Sequence, residues 1–458
     1  MTNQNNLFIR FAHSIGMDGA IAYSSGARVF QAIAGVISIF FIATFLSGEE
    51  QGFYYTFGSI LAIQIFFELG FTGIMTQYVA HEVVHLTLVN SSCYEGEERY
   101  KSRLSYLIRF CLKWYTIIAL LFFVVVNIIG IIYFNKFDKT NGAVNWLTPW
   151  LLLSFGTAVK LFQSPFTAIF QGLGRVKEMN KIAFYQQLII PVSQWILFAC
   201  GVKLYVVGIS SLLGVIVWCI FVLRSGLWRL LFNLFKVRIT EKISYMKEIF
   251  PYQWKIALSW VSGYFIFQLF NPVLFATEGA VVAGQMGMTI SVLNAIQAFA
   301  YSWQNTKVPL YSGLIEMKQY LQLDSIFNKT LKQMLLICGT LLSLMFLGVA
   351  FLRWTNFSIA NTVLGDRFLD YIPMFLMMIP LFLNQFIGSW ATYLRCHKQE
   401  PFLINSVVVG ALCCLSTFIL GNKIGLYGIT IGYCCITSFI AFPWSYRIFI
   451  KKKKEWHE

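Results

Sequence analysis

The chain is written in long apolar blocks, and that feature limits its folds more than any other. A block of about 20 apolar residues crosses a hydrocarbon layer as one helix. Inside hydrocarbon every backbone N–H and C=O needs a partner within the protein, which leaves helices or closed barrels. The blocks are too long and too uniformly apolar for barrel strands, which alternate in polarity over about ten residues. Only 12% of the residues are charged and 57% are hydrophobic, against about 25% charged in a soluble domain. Too little polar surface is present to solvate a globule of 458 residues.

The spacing predicts an all-α polytopic membrane protein with about twelve transmembrane helices. They fall near 20–46, 53–80, 108–134, 147–171, 182–200, 204–223, 256–277, 280–303, 331–352, 369–393, 402–421 and 425–446. Short connections, such as Ser47 to Gly52 and Gly421 to Ile424, make antiparallel hairpins of adjacent spans. The spans group as two six-helix bundles, 1–224 and 256–458, joined by a basic linker at 225–255.

The net charge of +15 is spread over the loops between apolar blocks, which argues against a nucleic-acid partner. Of the 35 lysines and arginines, 27 fall on one side of the predicted membrane and 6 on the other. Cytoplasmic loops carry such an excess, so both termini are predicted to be cytoplasmic. The segment from Met1 to Arg10 is mainly polar and lacks the apolar core of a cleavable signal peptide. Most of the ten cysteines sit inside apolar blocks, with no disulfide or metal spacing. Among the longer inner segments, 81–107, 224–255 and 307–329 have room for short interfacial helices. Leu227 to Lys236 mixes Trp, Phe and Leu with basic residues, as such a helix does.

An internal match links the halves. Ala62-Ile63-Gln64-Ile65-Phe66 in the second span pairs with Ala295-Ile296-Gln297-Ala298-Phe299 in the eighth, 233 residues later. Six spans per half is even, so such halves are parallel, related by an axis along the membrane normal. That is a transporter architecture with the substrate path between the halves.

Three charges fall inside spans of the first half: Arg28, Glu68 and Lys160. A charge at a helix centre costs about 2.5–3.5 kcal/mol on insertion scales, so such residues face water or pair with one another. The functional reading is a water-filled cationic chamber for an anionic substrate, with Glu68 as the candidate for proton coupling. The plainer reading is a Glu68 pair with Arg28 or Lys160 that only locks helices. Lys255 sits at the inner end of the seventh span.

The first half also carries a specific pattern. Its first outer turn reads Gly48-Glu49-Glu50-Gln51-Gly52-Phe53-Tyr54, and the second span ends near Glu68-Leu69-Gly70-Phe71, followed by Gln77-Tyr78-Val79-Ala80. The fourth runs out through Pro165-Phe166-Thr167-Ala168-Ile169-Phe170-Gln171-Gly172-Leu173-Gly174-Arg175-Val176. This resembles the Wzx-type polysaccharide repeat-unit flippases, the O-antigen and capsule transporters of the multidrug/oligosaccharidyl-lipid/polysaccharide exporter superfamily. The resemblance implies alternating access in a bacterial cytoplasmic (inner) membrane and a polyprenyl-pyrophosphate-linked oligosaccharide as substrate. It implies cationic cavity residues, which Arg28, Lys160 and, less closely, Lys255 match in kind. It implies no enzymatic activity and no cofactor, with membrane lipids around a monomer that works beside polysaccharide-assembly proteins. No Gly-x4-Gly-Lys-Ser/Thr phosphate loop is present for ATP hydrolysis.

His81-Glu82-Val83-Val84-His85 matches the HExxH zinc-protease signature. A third ligand is missing, and the nearest second motif, Gly365-Asp366, falls on the opposite predicted side. His13, His397 and His457 supply no partner site. The motif reads as polar residues at a membrane boundary, with no metal. The alternatives to a flippase are a multidrug or small-molecule exporter of the same superfamily, or a membrane enzyme. Cationic spans argue against the first; short outer loops and the repeat argue against the second.

Overall fold

The computed structural model describes residues 19–90, 93–241, 250–359, 362–397 and 399–457. The protein is predominantly helical. The first elements are α1 (Gly19–Phe45), α2 (Gly48–Leu61), a 3-10 turn (Ala62–Gln64), α3 (Ile65–Glu68), α4 (Phe71–Val83), β1 (Leu86–Asn90) and β2 (Cys93–Gly96). Then come α5 (Glu98–Phe137), α6 (Leu147–Gly172), α7 (Val176–Ala199), α8 (Tyr205–Arg224) and α9 (Leu227–Lys236). The rest are α10 (Phe250–Phe267), α11 (Phe270–Thr277), α12 (Ala280–Asn305), α13 (Val308–Glu316), α14 (Tyr320–Trp354), α15 (Tyr371–Arg395), α16 (Leu403–Cys435) and α17 (Phe442–His457). Between α14 and α15 lie the two-residue strands β3 (Ser358–Ile359) and β4 (Thr362–Val363) and a 3-10 turn (Leu364–Arg367). Among the described residues, eight helical segments are long and apolar enough to cross a membrane.

The chain forms two compact units. One comprises Met1–Ser38, Gln64–Ile131 and Trp146–Ala257; the other comprises Ile39–Ile63, Ile132–Asn145 and Leu258–Glu458.

In the first unit, α6 packs on α4 and α8, and α7 packs on α8. Small residues mark the crossings, because helices in lipid associate by close packing rather than by a hydrophobic drive. A Cβ on Gly172 would meet Thr76 and Val79 of α4, and one on Gly156 would meet Ser211 of α8. Helix α9 buries Leu227, Leu230 and Leu234 and exposes Trp228 and Phe232, the two faces of an interfacial helix. Arg109 Nη2 donates to the carbonyls of Phe235 and Val237, at 2.7 and 3.2 Å, and holds the end of that helix.

Two departures from the sequence reading sit in this unit. The second span, expected to run unbroken over 53–80, is interrupted. The helix yields to the 3-10 turn at 62–64, and Leu69 (φ 49) and Gly70 (φ 69) both adopt left-handed backbone before α4 restarts it. After α4 the segment from His81 holds an antiparallel hairpin, β1 with β2, in place of an interfacial helix. Tyr94 pins that hairpin, its hydroxyl donating to the Leu173 carbonyl at 2.8 Å.

The second unit is built on α2 against α12. Ser47 opens α2 with a capping box: Glu50 N–H donates to Ser47 Oγ at 3.0 Å, and Ser47 N–H to the Glu50 carboxylate at 2.9 Å. Gln51 Nε2 donates to the Gly284 carbonyl at 2.8 Å, and one turn later the Tyr55 hydroxyl meets Met288 Sδ at 3.3 Å. The two helices therefore run parallel. Their approach depends on glycine, since a Cβ on Gly52 would collide with the Ala280 carbonyl and one on Gly287 with the Tyr55 ring.

Arg367, only 5% exposed, closes this end of the unit. Its guanidinium donates to the Leu46 carbonyl and to Gln51 Oε1, while its own carbonyl accepts from Gln51 Nε2 at 3.2 Å. Burial draws its pKa below the usual arginine value, and the Glu50 carboxylate opposes that shift. Beneath lies a fully buried aromatic group of Phe53, Phe57, Phe134 and Phe275, with edge-on ring contacts such as Phe53–Phe275 at 4.9 Å. The predicted hairpin near Gly421 to Ile424 turns at Gly425 (φ 62), where Leu426 N–H donates to the Glu278 carboxylate at 3.3 Å. Leu420 then faces Gly428, and Ser416 faces Gly432, so the chain runs back along itself.

Removing a buried ring leaves a cavity, whereas trimming a surface side chain does not. Phe134→Ala is expected to cost about 3–5 kcal/mol, seen as a lower melting temperature in detergent. Ile132→Ala, at a side chain that is 62% exposed, is expected to change stability by no more than about 0.5 kcal/mol. Equal losses for the two would mean that the ring cluster does not carry this end of the unit.

Candidate functional site

Helix α6 places four polar residues, Lys160, Gln163, Ser164 and Thr167, one turn apart on a single face. Pro165 sits just inside this stretch. Without an N–H, proline cannot bond the carbonyl four residues back, here that of Leu161. The Ser164 hydroxyl donates to this carbonyl instead, at 2.9 Å. The polar face thus serves the helix's own backbone at the point where proline interrupts it.

That face lines a cavity of about 290 Å³ that α7 completes with Gln186 and Gln187 and α8 with Trp218. The neighbouring helix fixes several of these groups. Trp218 Nε1 donates to Thr167 Oγ1 at 3.0 Å, and Gln186 Nε2 to the Gly214 carbonyl at 2.8 Å. Gln163 Nε2 reaches the Val215 carbonyl at 3.4 Å. Two groups stay unengaged among the described residues. The half-buried Lys160 ammonium has neither an ion pair nor a hydrogen bond, and Gln187 Oε1 is buried with no donor. A cation and an acceptor that both lack partners in one polar cavity suit a ligand carrying negative charge and hydroxyl donors.

The other sequence candidates are placed less fully. Glu68 ends α3 at the break in the second span and accepts from the Thr72 hydroxyl at 2.6 Å. No ion pair joins it to Lys160 among the described residues; the alternative pairing with Arg28 falls outside them. Arg28 lies on α1 and Lys255 on α10, but their side chains fall outside the described residues. The structure therefore brings Lys160 together with amides and hydroxyls that the sequence reading did not single out.

The HExxH segment does not form the face its spacing implies. Helix α4 stops at Val83, so His81 and His85 are not a turn apart on one helix. Glu82 instead receives Arg103 Nε at 2.8 Å, and the His85 ring stacks on Tyr100 at 4.1 Å.

No family model matches the chain, and no curated protein matches it. Solved structures do share its fold. An inward-facing multidrug resistance MATE family transporter of the MOP superfamily superposes with a TM-score of 0.59 at 14% identity, covering 93% of this chain and 99% of that one. The lipid II flippase MurJ, in an inward closed conformation, gives 0.56 at 15% identity, covering 94% and 90%. The MATE multidrug transporter DinF-BH, solved as a complex, gives 0.52 at 14% identity, covering 96% of each chain. The chain has the fold of these transporters and is a multi-pass membrane protein.

A cation without a counter-charge adds nothing to the fold that holds it. Lys160→Met is therefore expected to leave the melting temperature unchanged or to raise it. A fall of several degrees in detergent would show instead that the ammonium supports the packing of α6.

Proposed function

We propose that this protein is a flippase that moves a polyprenyl-pyrophosphate-linked oligosaccharide, a surface polysaccharide repeat unit, across the cytoplasmic membrane by alternating access. The observation that carries the reading is the Lys160 ammonium, unpaired among the described residues, in a polar cavity of a membrane helix bundle. Diphosphate and sugars are too polar for hydrocarbon, so they need such a chamber while the polyprenyl tail stays in lipid. Lys160 would hold the diphosphate as a point charge, with Arg28 and Lys255 as further cations. Gln163, Gln186 and Gln187 would meet the sugar hydroxyls. The fold shared with MurJ and the MATE transporters supports the transporter class, and MurJ supports a lipid-linked cargo.

The two six-helix bundles, 1–224 and 256–458, with 225–255 between them and both termini cytoplasmic, are the bodies we assign to this cycle. The bonded pairs Gln51–Gly284 and Tyr55–Met288 support a parallel repeat, because each joins residues 233 positions apart, the offset of the matching pentapeptides. Glu68 is the proposed proton carrier, placed where the second span breaks.

The deciding experiment is flipping of such a substrate in proteoliposomes. Wild type is expected to flip, and Lys160→Met to lose about tenfold to a hundredfold, the worth of a charged hydrogen bond at 1.4 kcal/mol per decade. Failure of wild type with several different sugar units, together with efflux of a cationic dye, would transfer the assignment to a multidrug exporter. A second arm concerns coupling. Glu68→Gln is expected to abolish stimulation by a proton gradient while leaving flipping down the substrate gradient, and stimulation retained in that variant removes Glu68 from the coupling role.

A further inference from the structure

A cavity of about 730 Å³ opens in the second unit, where α14 begins and α17 ends. It shares no residue with the Lys160 cavity. Lys318, Lys453 and Lys454 line it together with His457, and among the described residues Asp324 is the one acid in the lining. That acid is already engaged on both oxygens: Lys453 Nζ lies 2.8 Å from Oδ2, and the Tyr393 hydroxyl donates to Oδ1 at 2.7 Å. Among the described residues the lining holds three lysines to one carboxylate. Its wall is built rather than casual, because the His457 ring stacks on Tyr320 with centroids 4.0 Å apart and planes 13° from parallel.

Two further features give the cavity direction. Helix α14 starts on this wall with no side-chain cap and no acid in its first turn, so backbone N–H groups add to the positive side. Beside them Leu321 is 90% exposed and Ile450 45% exposed, so an apolar rim adjoins the cationic lining. The run Lys451 to Lys454 begins five residues after the end of the last predicted span, where basic residues meet anionic headgroups.

We propose that this cavity binds a phosphate-bearing anion, either the headgroup of a phospholipid or a soluble phosphate ester. The lysines supply point charges for the phosphate oxygens. A phospholipid would in addition lay acyl carbons against Leu321 and Ile450.

The test uses the full chain purified in a neutral detergent at low salt, where such contacts are least screened. Melting temperature is followed against phosphatidylglycerol, phosphatidylcholine and glycerol 1-phosphate. Phosphatidylglycerol is expected to raise it by several degrees, and phosphatidylcholine not to. The double variant Lys318→Gln with Lys454→Gln is expected to need about tenfold more of the anion for half its shift. Lys423→Gln, an exposed lysine outside the cavity, is expected to titrate like wild type. A shift with glycerol 1-phosphate assigns the site to soluble phosphate esters; a shift confined to phosphatidylglycerol assigns it to lipid. No shift with either anion, or an unchanged titration in the double variant, overturns the proposal.

Discussion

A backbone amide or carbonyl facing hydrocarbon has to be satisfied by the protein itself, and the arrangement of this chain follows from that requirement. Uninterrupted helices meet it automatically. Interruptions do not, and at several of them a side chain takes over. Ser164 serves the Leu161 carbonyl ahead of Pro165. The Glu278 carboxylate serves the Leu426 amide after the turn at Gly425. Polar residues in these spans are in part the price of bends, which separates them from residues that serve no backbone at all.

Lys160 belongs to the second kind. It sits one turn from Ser164 on the same helix face, yet no carbonyl or carboxylate engages it among the described residues. The hydroxyls beside it on α6 and the amides of α7 line a polar cavity around that ammonium.

How much of this was legible depended on whether the signal was local. Lys160 stood out as the one charge in its own apolar block, 147–171. Its companions Gln163, Ser164 and Thr167 were equally visible at spacings of three, four and seven, the period of one helix face, but a search for charge alone passed over them. Gln186, Gln187 and Trp218 join them only through the packing of α7 and α8, which no local pattern states. The break at Leu69 had a signal in the Glu68 and Gly70 that flank it, but the apolar stretches on either side read as one span over 53–80. The hairpin after α4 was missed for the opposite reason. Alternating Leu86, Leu88 and Asn90 against Thr87 and Val89 is too short a strand signal to stand out at the edge of an apolar span. The same helix end at Val83 explains why HExxH was a spacing without a face.

The faintness of the internal match has a physical explanation in the contact of α2 with α12. If the halves are related by an axis along the membrane normal, residues beside that axis touch their own equivalents, 233 positions away. Gln51 bonds Gly284 and Tyr55 meets Met288 at that offset. Two equal side chains cannot occupy one point on an axis, so each pair divides the space unevenly: glutamine against glycine, and tyrosine against methionine. Close packing at the axis therefore favours divergence where the halves meet most intimately. Ala62–Gln64 and its counterpart 295–297 keep the same residues although the first is a 3-10 turn and the second lies within helix α12. On that reading, sequence identity survives away from the tightest contact, in segments that differ in conformation.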